Sequence, residues 1–165
     1  MEERGAPPVE TEEDDMAAMT DEERAEFLAQ PVIGRLGCLD DDGYPYVVPV
    51  WFAYADGGFF LVPRAHSEWA RYLARDGRVS LCIDSADVPY RRVLVKGRAD
   101  VIETPNVGGQ WVAIGTRMAE RYRGAEGVEY MERTKDEPRW LFFARPEQMT
   151  STNGGWATRY KHSQW

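Results

Sequence analysis

The sequence predicts a mainly β protein, a closed antiparallel barrel with short helices set between its strands. Three observations predict it. Five or six runs with the two-residue period of a strand succeed one another between residues 32 and 152. Most are joined by connections too short for a crossover helix, with Asp41-Asp42-Gly43 and Asp56-Gly57-Gly58 supplying turn chemistry. Helical periodicity is confined to short stretches, so the alternation of a parallel βαβ sheet is absent.

Each element has a local cause. Thr20-Asp21-Glu22-Glu23 is a capping box, with a Thr hydroxyl for the free amides and a Glu reaching back from the third helical position. It opens a short helix to about Ala29, whose apolar side is Phe27 and Leu28, and Pro31 ends it. VIGRLGCL (32–39) reads as a strand, and YPYVVPVWFAYA (44–55) as a long one that turns at Asp56-Gly57-Gly58 into FFLVPR. HSEWARYLARD (66–76) is helical, with Trp69, Leu73 and either Tyr72 or Ala70 inward. RVSLCID and VPYRRVLVKGRADVIE are two further strands, the second carrying Gly97 at a bulge or bend. Trp111, Ile114, Met118 and Tyr122 share a helical face that Gly124 stops; residues 127–135 form a second short helix. WLFFARPEQMTST is the last strand, followed by an irregular tail.

A chain of 165 residues suits one domain with a real core. Residues 1–30 carry a formal charge of −9 and the remainder +1, so the acidity belongs to a leading arm and the body is nearly neutral. Residues 1–19, acidic and Pro-containing, are expected to be a disordered tail, and residues 20–165 the folded domain. A neutral body without a Lys/Arg stripe argues against nucleic acid as partner. No apolar run approaches a bilayer span, so no membrane partner is expected. The acidic N-terminus is unlike a secretory leader, and the expected location is cytoplasmic. Cys38 and Cys82 stand alone in strand-like runs, which predicts two reduced thiols and no metal site.

Residues 32–102 carry a pattern. A G-R-L-G first strand is followed by a D-x-D-G-x-P turn and a V-x-P-V-W-F strand. A D-G hairpin, a short helix opening after R-x-x-S, an R-V-S-L strand and a V-x-G-x-A strand come next. In this joint order the chain resembles the flavin- and deazaflavin-binding split β-barrels of the pyridoxamine-phosphate-oxidase-like superfamily. The resemblance implies a homodimer with two cofactor sites, each built across the subunit interface. It puts Pro49, Val50 and Trp51 against the isoalloxazine ring, and Arg64, Ala65, His66 and Ser67 at the ribityl phosphate.

Physical chemistry supports the phosphate end. A helix N-terminus offers free amides and partial positive charge, Arg64 adds a fork and Ser67 a hydroxyl. Taken alone, Arg-x-x-Ser at a strand–helix junction is a surface Arg and an N-cap Ser. His66 either donates to phosphate or is a surface residue at a helix start. Many relatives carry Lys or Arg two residues after this Ser, where the present chain has Trp69. That departure makes Trp69 a core or interface aromatic and tells against the polyanionic deazaflavin coenzyme. Arg71, Arg75 and Arg78 lie near, at spacings that also suit solvent. Arg92 and Lys96 share one face of the long strand that often contributes to the dimer-spanning site. Trp156-x-x-Arg159 is similar to the tail segment with which relatives complete the partner's site, and His162 is a candidate haem ligand.

No P-loop, nucleophile elbow, dinucleotide fingerprint or metalloprotease helix occurs. The function the resemblance implies is an FMN-dependent oxidoreductase acting on a small unsaturated or aromatic substrate. The alternatives are a deazaflavin-dependent reductase and a non-catalytic flavin- or haem-binding protein. The basic tail motif of pyridoxamine-phosphate oxidase itself is not found. No catalytic side chain is assigned, because hydride chemistry belongs to the cofactor.

Overall fold

The computed structural model describes residues 17–154. In chain order the elements are β1 (Ala17–Ala18), α1 (Asp21–Ala29), β2 (Gly34–Leu39), β3 (Pro45–Val50), β4 (Ala53–Ala55) and β5 (Gly58–Leu61). They continue with α2 (Glu68–Arg75), β6 (Arg78–Ser85), β7 (Arg91–Asn106), α3 (Trp111–Arg123), α4 (Ala125–Arg133) and β8 (Arg139–Asn153). All pairings are antiparallel, in the order β3-β2-β6-β7-β8-β5-β4, with β1 added to β8. Among the described residues no helix is long and apolar enough to cross a membrane.

The expected long strand over 44–55 is two strands. β3 and β4 lie at opposite ends of the sheet order, yet only Trp51 and Phe52 separate them. Two extended residues reach about 10 Å at most between flanking strands. The sheet must therefore roll until its ends meet, which makes a barrel split along one seam. Phe52 turns into the interior, where it is fully buried and packs edge-on against Phe59 at 5.6 Å. With it in the core are Phe27, Leu28, Leu36, Leu73, Leu81, Ile83, Val93 and Phe142.

A seam leaves backbone groups without ladder partners, and α3 supplies them. Arg121 donates to the carbonyl of Phe52 and, at 3.2 Å, to that of Leu28. The Tyr122 hydroxyl donates to the Val32 carbonyl at 2.8 Å and accepts from the Phe52 amide at 3.4 Å. Burial pushes the Tyr122 phenol above its ordinary pKa. α3 and α4 form a hairpin over the outer side of β5 and β8, enclosing a second apolar cluster around Trp111, Ala119, Met131 and Leu141.

The smaller expectations resolve as follows. The Thr20 capping box has both hydrogen bonds, Glu23 amide to Thr20 hydroxyl at 3.1 Å and Thr20 amide to Glu23 carboxylate at 2.8 Å. Asp56 and Gly57 take positive φ (55° and 73°), as a two-residue hairpin demands. β7 is bulged between Lys96 and Gly97. The described fold starts earlier than residue 20: Ala17 and Ala18 pair with Asn153 and Thr152, and Met19 is 5% exposed in the core. Met19 closes that acidic stretch with a long apolar side chain able to dock, which composition averaged over the arm conceals.

Arg121→Met should lower stability by roughly 2 kcal/mol, because two carbonyls lose a charged donor. Arg117→Met, on the exposed side of the same helix, should stay within about 0.5 kcal/mol of the parent. Urea melts of the two variants check this, and equal midpoints would mean that the seam does not depend on Arg121.

Candidate functional site

A cavity of about 330 Å³ lies between the barrel seam and the α3–α4 hairpin. Five elements and the residue after β5 build its walls. The end of β3 and the link after it give Pro49, Val50 and Trp51, the first turn of α2 gives Trp69, and α3 gives Gly115, Met118 and Arg123. Val62, Tyr130, Met131 and Arg139 complete it. Trp51 is fixed by a parallel stack on Tyr122, 4.9 Å between centroids and 5° between planes. A Cβ at Gly115 would stand 2.8 Å from Met131 Cε and 3.5 Å from Val62 Cγ1, so the glycine preserves space that a side chain would take.

The cavity has one polar end. Arg64 Nη2 donates to the Tyr130 hydroxyl at 2.8 Å and Arg139 Nη2 donates to it at 3.3 Å. Arg64 also pairs with Glu137 at 3.3 Å, while Arg139 Nη2 reaches the Thr134 hydroxyl at 3.0 Å. Arg64 and Arg139 face each other across an isolated antiparallel bridge, which sets this spacing. Burial pushes the Tyr130 phenol up, but the hydrogen bonds from Arg139 and Arg64 outweigh it and hold the group below its ordinary pKa.

Of the residues nominated from the sequence, Pro49, Val50, Trp51 and Trp69 line this one cavity. Arg64 touches it through Tyr130, at a half-exposed rim. Ala65 sits beside Arg64, its carbonyl accepting from the Trp140 indole at 3.3 Å. His66 is exposed, and Ser67 is the N-cap of α2 with a hydroxyl that makes no capping bond. Arg92 and Lys96 do share a face of β7, with Val93 and Val95 buried between them, but neither lines the cavity; Lys96 borders a separate concavity with Ser80 and Glu147. Arg71 and Arg75 both pair with Asp41, and Arg78 with Asp76. Trp156, Arg159 and His162 lie outside the described residues.

Sequence reasoning missed Arg139, Tyr130, Gly115 and Met131. Met131 and Tyr130 were legible as members of a short helix, but not as cavity walls. Arg139 carried no signal, since it stands immediately before the apolar run of the last strand.

The sequence pattern of the pyridoxamine 5'-phosphate oxidase family matches residues 20–153. No curated protein sequence matches the chain. Solved structures do. A conserved hypothetical protein from Mycobacterium tuberculosis is 23% identical, with a TM-score of 0.66, over 96% of this chain and 97% of that one. An F420 reductase is 23% identical at TM-score 0.58, over 75% and 93%. HutZ, the haem storage protein of Vibrio cholerae, is 20% identical at TM-score 0.62, over 81% and 96%. At these identities the likeness is one of fold.

Tyr130 should ionise ahead of Tyr122 and Tyr72, whose pKa values burial raises. Its folded pKa is lowered, so the folded state favours phenolate. Wild type should gain stability over Tyr130→Phe as pH rises through the tyrosine range, and lose that gain as pH falls through the folded pKa. Ultraviolet difference titration with melts at each pH tests this; a Tyr130→Phe protein that keeps the earliest ionisation step would refute it.

Proposed function

The chain belongs to the pyridoxamine 5'-phosphate oxidase family, and on that premise we propose that it is an FMN-dependent oxidoreductase acting on a small unsaturated or aromatic substrate. The observation that carries this reading is the polarity of the cavity. Pro49, Trp51 and Trp69 line it with flat surfaces and Met118 and Met131 with soft apolar chains, while Arg64 and Arg139 converge on the Tyr130 hydroxyl. A planar ring system with an anionic arm is the complement of that surface. The residues present therefore fit a flavin.

In this reading Pro49 and Val50 bring strand backbone to the ring edge, and Trp51 forms a wall that cannot swing because Tyr122 holds it. Ser67, with its hydroxyl uncommitted to a cap, and Arg64 meet the phosphate. Phosphate has to compete there with Glu137, which already pairs with Arg64. The flavin supplies two-electron hydride chemistry when bound. Exclusion of water falls to Met118, Met131 and Trp69.

The cavity, about 330 Å³, stands at the low end of small-molecule sites. A homodimer extends it in this proposal. The outer faces of β2, β3, β6 and β7 carry exposed Val47 and Leu94 among the small residues Gly37, Ser80 and Cys82, a surface suited to a second copy. F420 and haem, which the names of similar structures mention, are the competing ligands.

Three measurements test the proposal. The visible spectrum of the purified protein separates flavin, deazaflavin and haem by band shape, and sedimentation should give twice the monomer mass. Arg64→Ala should weaken FMN by about 2 kcal/mol and leave riboflavin, which lacks the phosphate, nearly unchanged. Equal losses for both ligands would make Arg64 a structural residue, and a colourless monomer that binds neither would end the flavin reading.

A further inference from the structure

Arg139 is the residue of the cavity wall whose protein neighbours do not account for it. At 5% exposure it is the one charged side chain so deeply buried among the described residues. Its position follows from strand alternation. On β8 the side chains of Leu141 and Arg139 enter the layer under α3 and α4, whereas those of Trp140 and Phe142 turn to the barrel. The guanidinium lies between the rings of Trp111 and Tyr130, at 5.5 and 5.7 Å from their centroids. Its hydrogen bonds go to two neutral hydroxyls, those of Thr134 and Tyr130. Its Nε is buried without a partner.

The neighbouring cations of the wall differ. Arg64 pairs with Glu137, and Arg123 with Glu126 at 2.9 Å. Among the described residues no carboxylate is within ion-pairing distance of Arg139, and no Asp or Glu lines the cavity. A buried cation lacking a counter-charge carries a desolvation penalty, which stacking on two rings offsets only in part. An anion that entered the cavity would remove that penalty, and the guanidinium fork is shaped to hold a carboxylate or phosphate through two parallel bonds.

We propose that Arg139 is an oxyanion receptor at the closed end of the cavity. It takes the carboxylate or phosphate of a ligand whose planar part rests against Pro49, Trp51 and Trp69, and the Tyr130 and Thr134 hydroxyls flank the anion. The inference rests on the cavity being a ligand site, as read above, but not on the ligand being a flavin. It also separates two anion positions: an outer one at the Arg64–Ser67 rim, already engaged by Glu137, and an inner one that no protein carboxylate fills. The anion belongs either to the cofactor's phosphate or to an acidic substrate, and the test tells these apart.

The test uses the intact chain, Arg139→Met, and Arg133→Met as a control that removes an exposed cation from α4. Thermal melts are run in inorganic phosphate, in sodium benzoate and in chloride at matched ionic strength, and FMN and riboflavin are titrated by fluorescence. Phosphate or benzoate should raise the melting temperature of wild type and of Arg133→Met above its value in chloride, and should not raise that of Arg139→Met. A loss of FMN affinity of about thirtyfold or more in Arg139→Met, with riboflavin unchanged, assigns the anion to the cofactor. Equal flavin affinities with a comparable loss of benzoate affinity assign it to an acidic substrate. If neither flavin binds but phosphate or benzoate still stabilises wild type through Arg139, the flavin reading fails and this inference stands. Wild type indifferent to both anions and to the FMN phosphate overturns it, as does an Arg139→Met protein that responds like wild type. Should the Met variant not fold, Arg139→Lys, which keeps the charge but loses the fork, is measured instead. Undiminished anion binding by that variant also overturns the proposal.

Discussion

The structure depends on a connection of two residues. β3 and β4 occupy opposite ends of a seven-strand path, and Trp51-Phe52 is all the chain between them. That link forces the sheet to close on itself, and it leaves a line where closure is made by chain continuity instead of a ladder. Phe52 spends its side chain on the core, so its backbone has to be satisfied from outside. Arg121 and Tyr122 do this from one turn of α3. Trp51 then has no room inside and stacks on Tyr122 instead. The cavity lies where the barrel cannot be continuous, a location general to sites built at breaks in regular structure.

The distribution of charge follows the same geometry. Cations on the exposed side of α2 find a carboxylate within reach, as Arg71 and Arg75 do on Asp41. Such exposed pairs contribute little to stability. The layer between β8 and α4 is different, because its neighbours are Trp111, Met131, Leu141 and two hydroxyls. There the guanidinium of Arg139 acts at short range in a poorly screened medium, and its effect is visible on Tyr130. Burial alone would raise that phenol, yet two arginine donors reverse the direction. Tyr130 reports the positive potential of the cavity end through the direction of its shift.

Much of this was legible in the sequence, and the remainder has identifiable physical causes. Thr20 and Glu23 announced α1 because a capping box is local chemistry, and Asp56-Gly57 announced its hairpin because few other pairs accept positive φ. Pro49, Val50, Trp51 and Trp69 were named through their place in a family pattern, and they share one cavity. The break at Trp51 was not visible, since YVVPVWFAYA keeps an unbroken apolar character and nothing local records which edge each half will pair with. Arg139 was hidden for a related reason. A charged residue before an apolar strand reads as a solvated flank, and only the docking of α3 and α4 makes it buried. Both failures concern tertiary contacts between elements distant in the chain, where period and propensity carry no information.

On the proposed reading, the cavity's apolar side lets one scaffold hold a rigid anion receptor and still adapt to its ligand. Trp51 is immobilised by its stack, and Arg139 by two rings and two hydroxyls. Met118 and Met131 are the opposite kind of wall, unbranched and soft, and Gly115 beside them contributes no side chain at all. The end of Met131 already approaches the position a Cβ would occupy at residue 115, so the methionine is the part able to give when a ligand enters. Orientation is thus set at the polar end and along the tryptophan wall, where displacement breaks hydrogen bonds or ring contacts. Shape is negotiated at the methionines, where displacement changes only dispersion contacts worth a few tenths of a kcal/mol each. A site divided in this way fixes the charge and plane of its ligand more strictly than its outline.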